Sequence, residues 1–160
     1  MERIKEITFD EIKYYWRNFL WSKFDITNSV DLKTYPTCLI TQKDYSYKAF
    51  KYMNRENIEK IQNPTFIAYE IDDEIIGVES GFNTNLNYYR LRGLWVKKEY
   101  RKQGIATKLI KWFENYTDKK FIWTIPRETA IPFYKKCGFE ILNEYLPSIY
   151  GKTYFAIKKI

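Results

Sequence analysis

The chain has 160 residues and no Pro-, Gly- or Ser-rich divider, so its length and composition favour one domain, residues 1–160, with its own hydrophobic core. It contains no histidine, which excludes His-based triads and most zinc sites, and its two cysteines, Cys38 and Cys137, lack a CxxC spacing and indicate reduced thiols in a cytoplasm. The formal net charge is +7, yet there is no basic tail for nucleic acid, no apolar run of membrane-spanning length and no signal-peptide pattern.

The N-terminal residues predict a strand and then a helix. Residues 3–7 have the pattern of a short β-strand, and Thr8 and Glu11 have the spacing of a capping box that starts a helix. Apolar residues at intervals of three and four then predict one face of that helix: Ile12, Tyr15, Trp16, Phe19 and Leu20. Between residues 22 and 62 the pattern is irregular, with candidate helices near residues 45–52 and 55–61.

The middle of the chain predicts a hairpin followed by a parallel crossover. Two β-rich runs, residues 65–71 and 74–82, flank Asp72 and Asp73, which predict a polar turn. Residues 88–96 form the next predicted strand, a helix extends to about residue 116, and residues 121–125 form another strand. A strand, a helix and a strand in succession favour parallel pairing. The buried stripe of this helix is predicted at Ile105, Leu109, Trp112, Phe113 and Tyr116.

The C-terminal part predicts a short helix and two more strands. Thr129 is expected to cap the helix, Pro132 falls in its first turn, and Gly138 stands where a helix commonly ends. Residues 139–145 and 154–159 are the last predicted strands. The whole order predicts a mixed α/β (α+β) domain.

The turn Arg101-Lys102-Gln103-Gly104-Ile105-Ala106 predicts an anion site. The first turn of a helix offers free backbone N–H groups and a positive dipole end, while Gly104 and Ala106 let the backbone approach a bulky ligand. A polar turn before a surface helix is the alternative interpretation. The turn lacks the glycines and lysine of the nucleoside triphosphate and dinucleotide fingerprints, so those chemistries lose support.

A second motif, Ala-x-x-x-Tyr-x-x-x-Gly-Phe, spans Ala130 to Phe139. Together with the RxxGxA turn that follows Leu94-Trp95-Val96, it resembles the GCN5-related N-acetyltransferase (GNAT) superfamily. The resemblance extends over nearly the whole chain, from about residue 3 to residue 160. It implies a GNAT fold, in which a mixed six- to seven-stranded sheet, splayed at the centre between strands 88–96 and 121–125, is flanked by helices.

The resemblance also implies acetyl-CoA as co-substrate and no metal. Its pyrophosphate would meet backbone N–H groups of the turn, and its pantetheine arm would pair with the backbone after the splay point. A backbone N–H near Leu94 would stabilise the oxyanion. Arg127 replaces an Asn of many members and could bind a phosphate or an acidic substrate group, or be a solvated loop arginine. The implied cofactor-binding residues are Leu94, Trp95, Val96, Arg101, Lys102, Gln103, Gly104, Ile105, Ala106, Thr107, Arg127 and Ala130.

Two residues are candidates for proton chemistry. Tyr134 matches the family's general acid, and could protonate or hydrogen-bond the leaving thiolate; a packed aromatic residue is the alternative. Family members with a dedicated base often have Glu at the start of the fourth strand, where this chain has Arg90 and Arg92, which argues against histone-type lysine acetylation. Glu79 is the remaining base candidate, although strand glutamates are more often solvent-facing. Cys137 is expected to be a buried, inert thiol.

The leading hypothesis is an acetyl-CoA-dependent N-acetyltransferase that transfers an acetyl group to a primary amine of a small molecule, peptide or protein by direct attack. The alternative is a non-catalytic acyl-CoA-binding sensor or partner module of the same fold. The expected partners are acetyl-CoA and an amine acceptor, with no nucleic acid and no membrane, and the expected assembly is a monomer or homodimer.

Overall fold

The structure is a computed structural model that describes residues 1–20, 62–84, 87–148 and 151–160. Cys38 and the candidate helices at residues 45–52 and 55–61 lie outside the described residues. Along the described chain the strands and α-helices follow in the order β1 (Glu2–Ile7), α1 (Phe9–Tyr15), β2 (Gln62–Ile71), β3 (Glu74–Asn83), β4 (Tyr88–Val96), α2 (Ile105–Tyr116), β5 (Phe121–Thr124), α3 (Ile131–Lys136), β6 (Glu140–Ser148) and β7 (Gly151–Lys159). A π-helical turn, Trp16–Leu20, continues α1.

The strands form one mixed, seven-stranded sheet in the order β1-β2-β3-β4-β5-β7-β6. β4 and β5 are parallel, whereas the other neighbouring pairs are antiparallel. The chain passes from β4 through α2 to β5, so the predicted parallel crossover is confirmed. The sheet and its flanking helices confirm the expected α+β fold class.

Different helices cover the two faces of the sheet. On the face that we call the α2 face, α2 buries Ile105, Leu109 and Phe113, and Tyr134 of α3 joins the same hydrophobic cluster. On the opposite face, the α1 face, Ile12 and Trp16 are buried in a second cluster that includes strand residues Phe66, Val78, Phe82 and Trp95. The last residue of the predicted α2 stripe, Tyr116, is instead exposed, because it lies in the final turn of the helix.

Two local predictions near the N-terminal half are confirmed. The Thr8 side chain accepts a hydrogen bond from the Glu11 backbone N–H at 3.1 Å, and the Glu11 carboxylate accepts one from the Thr8 backbone N–H at 3.1 Å, which completes the capping box. Asp72 and Asp73 have φ values of 47° and 67° and connect β2 to β3. Positive φ at both central residues is the geometry of a type I′ hairpin turn.

The predicted cap of the last helix is wrong. Residues Glu128–Ala130 form a 3-10 turn, so α3 begins one residue later than Thr129 would require, and Ala130 occupies the cap position without a side-chain hydrogen bond. Pro132 does lie in the first turn, where its missing N–H costs nothing. None of the helices in the described segments is long and apolar enough to cross a membrane.

Candidate active site

The sheet opens between its two parallel strands. β4 and β5 pair through Tyr88↔Phe121, Tyr89↔Ile122 and Arg90↔Trp123, and no further pair joins them within the described residues. β4 continues to Val96, whereas β5 ends at Thr124, whose hydroxyl donates a 3.0 Å hydrogen bond to the Leu91 carbonyl. An unpaired strand edge exposes backbone N–H and C=O groups that an extended ligand can pair with. The edge of β4 after Leu91 is such an edge, and the splay predicted from the sequence is confirmed.

A β-bulge lies on β4 at this opening. Val78 pairs with Trp95 and Ser80 pairs with Arg92, so Glu79 faces both Gly93 and Leu94. Gly93 has φ +79°, and its carbonyl accepts a 2.9 Å hydrogen bond from the Trp16 indole N–H. A Cβ on Gly93 would lie 2.4 Å from the indole nitrogen, so both the backbone angle and the packing require glycine. The bulge therefore gives Leu94, the predicted oxyanion residue, a backbone orientation outside the regular ladder.

The predicted anion-binding turn lies at the N-terminus of α2. Gly104 is the N-cap with φ +83°, and a Cβ there would have no atom within 4 Å, so the space above it is open. Helix geometry leaves the N–H groups of Ile105, Ala106 and Thr107 without intrahelical acceptors. No acidic residue lies in this first turn, so no carboxylate competes with an incoming anion for these groups. The turn thus has the space, the donors and the charge that a pyrophosphate requires.

Among the basic and polar side chains of the turn, Lys102 is exposed to solvent, whereas Arg101 and Gln103 are hydrogen-bonded to backbone carbonyls. Lys102 has φ +63° and is exposed, and Gln103 donates a 3.3 Å hydrogen bond to the Glu99 carbonyl. The Arg101 side chain folds back, because its Nε donates a 2.9 Å hydrogen bond to the Val96 carbonyl. The Thr107 hydroxyl oxygen lies 3.9 Å from the Cys137 sulfur, so the start of α2 is beside the end of α3.

The two candidate proton-transfer residues are neighbours on the α2 face. Tyr134 is buried against Phe139, with the rings 5.3 Å apart and nearly perpendicular. Burial raises the pKa of Tyr134, Glu79 raises it further when it is ionised, and the hydrogen bond with the Thr124 hydroxyl lowers it. The structure therefore brings together Tyr134 and Glu79, and adds Thr124. Sequence reasoning missed Thr124, whose only signal is its position at the end of β5.

The solvent-facing interpretation of Glu79 is wrong, because the side chain is only 1% exposed. Its Oε1 accepts a 3.3 Å hydrogen bond from the Ser80 backbone N–H, and its Oε2 has no hydrogen-bond partner among the described residues. Burial raises the pKa of Glu79 well above its usual value, and the backbone N–H groups of Ser80 and Arg92 lower it only partly. Glu79 is therefore a carboxyl group with a strong preference for its neutral form.

Three other residues that the sequence analysis singled out, Arg90, Arg127 and Cys137, differ in burial and contacts. Arg90 is 1% exposed and its guanidinium lies 4.9 Å from the Trp123 ring centre and 5.9 Å from that of Phe82. Arg127 is exposed and pairs through its backbone with Thr153, while its carbonyl accepts a 2.9 Å hydrogen bond from the Ala130 N–H. Cys137 is partly buried rather than fully buried, and packs against the α2-face core.

No group of three or more His, Cys, Asp or Glu side chains that could hold a metal ion is found in the described parts of the chain. The features that do converge are a sheet that opens between two parallel strands, a helix N-terminus able to bind an anion, and a buried tyrosine beside the opening. This combination defines the class of acetyltransferase α+β domains.

Comparison with known proteins agrees with this class. A family model described as "Acetyltransferase (GNAT) domain" matches residues 62–141, which include the splay, the anion turn and Tyr134. The chain therefore belongs to the GNAT family of acetyltransferases, as the sequence motifs predicted. A search of curated protein sequences finds no match.

Solved structures share the fold at low sequence identity. An aminoglycoside 6'-N-acetyltransferase complexed with coenzyme A has a TM-score of 0.65 and 16% identity, over 98% of this chain and 96% of that one. Ard1 from Thermoplasma volcanium has a TM-score of 0.62 and 20% identity, over 99% and 97%. A candidate streptothricin acetyltransferase from Bacillus anthracis str. Ames, in complex with acetyl coenzyme A, has a TM-score of 0.55 and 21% identity, over 72% and 73%.

Proposed function

We propose that this protein is an acetyl-CoA-dependent N-acetyltransferase that acetylates a primary amine by direct attack. The observation that carries the proposal is the unpaired edge of β4 after Leu91, in a chain that also has an open helix N-terminus at Gly104 and a buried tyrosine, Tyr134. The coenzyme A and acetyl coenzyme A complexes among the structural neighbours support the same co-substrate. The residues present fit it, since Gly104 leaves open space above free helix N–H groups and no acidic side chain opposes them.

Each part of the site has an assigned task in this proposal. Backbone N–H groups from Gln103 to Thr107 bind the pyrophosphate, with Lys102 supplying nearby positive charge. The backbone of Leu94, Trp95 and Val96 pairs with the pantetheine arm, as an added strand would. The Leu94 N–H, displaced from the regular ladder by the bulge, polarises the thioester carbonyl and stabilises the developing oxyanion. Arg127, which precedes the 3-10 turn, and Ala130, the N-cap of α3, complete the coenzyme side of the site.

Tyr134 acts on the leaving group. The neutral amine nitrogen forms the new C–N bond and loses its second proton to solvent, the C–S bond breaks, and the thiolate leaves with the bonding electron pair. Reference pKa values of about 10 for tyrosine and about 8.5 for a thiol already make full proton transfer uphill by about 2 kcal/mol. Burial raises the pKa of Tyr134 further. We therefore assign Tyr134 as a hydrogen-bond donor to the thiolate, which then takes its proton from solvent.

Glu79 is our candidate for the base that removes a proton from the incoming ammonium. Deprotonating a lysine-like amine at pH 7 costs about 4.6 kcal/mol, so a proton acceptor is needed. An ordinary carboxylate is a weak base, but burial raises the pKa of Glu79 and so makes its ionised form more basic. If Glu79 is the base, kcat/KM rises with pH as this carboxyl ionises, and Glu79→Gln removes that limb of the profile. An unchanged pH profile in the variant excludes the role.

The first test is thermal unfolding with and without acetyl-CoA, followed by a thiol-release screen over amino acids, peptides, polyamines and aminoglycosides. Aminoglycosides are included because of the 6'-N-acetyltransferase neighbour, and peptides because of Ard1. We expect stabilisation and amine-dependent thiol release. Stabilisation by acetyl-CoA without thiol release in the presence of any amine favours the acyl-CoA sensor, the second candidate function. No stabilisation at millimolar acetyl-CoA contradicts both.

The second test is Tyr134→Phe. We expect turnover to fall by about 10²- to 10³-fold, the usual loss when one hydrogen-bond donor to a developing anion is removed, while acetyl-CoA affinity changes little. Tyr116→Phe is the matched control, since it also removes one phenol, on an exposed side chain of α2 whose hydroxyl lies 3.1 Å from that of Thr65. Equal turnover of the two variants removes Tyr134 from the mechanism.

A further inference from the structure

A pocket of about 420 Å³ lies on the α1 face, at the end of β4 opposite Tyr134. Four aromatic rings line it, from Tyr14, Tyr15, Phe19 and Trp95, and Ile75 adds apolar surface. We call it the aromatic pocket. Its volume is within the range of about 300–1,000 Å³ typical of small-molecule sites, and apolar linings with a few polar groups are typical of such sites.

The rings of the aromatic pocket form one contiguous array, in which one pair is stacked. Phe19 stacks on Trp95 with ring centres 4.9 Å apart and an angle of 18° between the planes. Tyr15 lies 5.5 Å from the same indole, and Tyr14 meets Phe19 edge-on at 6.2 Å. Trp95 is almost fully buried, whereas Phe19 is 50% and Tyr14 57% exposed, so this array presents open aromatic surface to the pocket. A planar ring can join such an array by stacking or by edge contact.

The aromatic pocket and the proposed coenzyme site share the end of β4. The Trp95 ring lines the pocket, while the Trp95 backbone belongs to the unpaired strand edge. Arg101 also borders the pocket, and its hydrogen bond to the Val96 carbonyl ties it to the same strand end. The α2 face of the opening is filled by buried Tyr134 and Glu79. Because Trp95 belongs to both the pocket and the strand edge, an amine whose nitrogen lies at that edge can place its remaining groups in the aromatic pocket.

The charges at the pocket rim limit the kind of amine. Glu74 and Lys97 form an ion pair, so their charges largely cancel. Lys98, Glu99 and Arg101 remain, with a net charge of +1 from the two cations and one anion. A ligand with further positive charges would lose hydration against aromatic surface and gain no net attraction at this rim. The rim thus disfavours polycationic acceptors and the rings favour an apolar one.

We propose that the aromatic pocket binds the non-reacting, aromatic part of the acceptor, so that the substrate class is a monoamine that carries an aromatic ring. This inference rests on the proposed acetyltransferase function, because it assigns the pocket to that reaction's acceptor. The reacting nitrogen lies at the opening of the sheet, and the ring lies against Phe19 and Trp95.

The test compares 2-phenylethylamine with n-butylamine in the thiol-release assay. We expect kcat/KM to be at least tenfold higher for 2-phenylethylamine. Phe19→Ala should raise KM for 2-phenylethylamine about tenfold more than KM for n-butylamine, while the thermal shift produced by acetyl-CoA persists. Tyr116→Ala is the matched control, because Tyr116 is 49% exposed, stacks on Trp112 and lies on α2, away from the pocket. It should leave both KM values unchanged.

The pocket assignment is overturned if the two amines are equivalent, or if Phe19→Ala raises both KM values equally. If no amine produces thiol release from acetyl-CoA, the protein is titrated with 2-phenylethylamine by calorimetry in the presence of acetyl-CoA. If 2-phenylethylamine binds, and Phe19→Ala weakens this binding while Tyr116→Ala does not, the pocket is supported even though the proposed reaction has failed. Absence of binding overturns the pocket, and acetyl-CoA-induced stabilisation alone then reports on the coenzyme site.

Discussion

The anion turn can be tested by adding one methyl group at Gly104. Its φ of +83° is in the left-handed region, and a Cβ there would have no neighbour within 4 Å, so Gly104→Ala introduces backbone strain and no clash. A non-glycine residue in this region costs about 1–2 kcal/mol. For a domain of this size each kcal/mol corresponds to about 2–4 °C, so we expect the unfolding temperature to fall by about 2–8 °C.

The same methyl group should weaken acetyl-CoA binding much more than the strain would suggest. It projects into the open space that the pyrophosphate would occupy, and a hydrogen bond to a charged group contributes about 1.5–3 kcal/mol. Losing one such contact lowers affinity by about 10- to 100-fold. Calorimetric titration with acetyl-CoA, at a temperature well below the unfolding transition of the variant, measures this loss separately from stability.

Lys102→Asn is the matched comparison, since Asn tolerates the positive φ of 63° at this position and only the charge is removed. An exposed charge contributes about 0.2–1 kcal/mol, so affinity should fall less than about fivefold, and less again at high salt. If Gly104→Ala lowers the unfolding temperature as expected but binds acetyl-CoA as tightly as the parent chain, the turn does not hold the pyrophosphate and our reasoning about the helix N-terminus is refuted.

Three further substitutions test the energetics around the site. Glu79→Gln should flatten the pH dependence of stability. Burial raises the pKa of Glu79 in the folded state, so the free energy of unfolding of the parent falls as pH rises from the unfolded-state pKa through the folded-state pKa. Urea denaturation from pH 4 to 9 should therefore show the variant becoming more stable than the parent at the higher pH values. Glu70→Gln should be less stable than the parent at pH 7 and should lose less stability on acidification. Lys5 and Arg3 lower the pKa of Glu70, so its contribution is present at pH 7 and lost at low pH; equal acid sensitivity of variant and parent would contradict this. Trp16→Phe removes the hydrogen bond to the Gly93 carbonyl and should cost about 1 kcal/mol in urea, with turnover reduced more than acetyl-CoA affinity because the bulge loosens.

Local sequence signals predicted the elements that depend on nearby residues. The capping box at Thr8 and Glu11 and the turn at Asp72 and Asp73 are decided by contacts within a few positions, and both are confirmed. The predicted cap at Thr129 was wrong because a 3-10 turn moves the helix start to Ile131. Nothing in the local pattern distinguishes a helix capped by Thr129 from one that begins after this turn. The spacing that predicted one helix through residue 20 likewise does not separate α-helix from the π-helical turn.

The burial of Glu79 depends on tertiary structure that the sequence pattern does not contain. Alternation along β3 specifies which face each side chain takes, but β3 lies third in the sheet and both faces are covered. A glutamate facing away from Val78 therefore enters the α2-face core rather than solvent. The position of Thr124 was unpredictable for a related reason, since it follows from where β5 stops relative to β4.

The β3–β4 strand pair has different chemical environments on its two faces. On the α2 face, Glu79 is buried and its pKa is raised, so loss of hydration outweighs the stabilisation of its charge by the backbone N–H groups of Ser80 and Arg92. On the α1 face, by strand alternation, lie the Arg90 and Arg92 side chains, of which Arg90 packs on Phe82. A carboxyl group stabilised by these cations would have a low pKa and would be a poor base. In our proposal, the sheet between them keeps the pKa of Glu79 high, so that its ionised form can accept a proton from the amine in a chain without histidine.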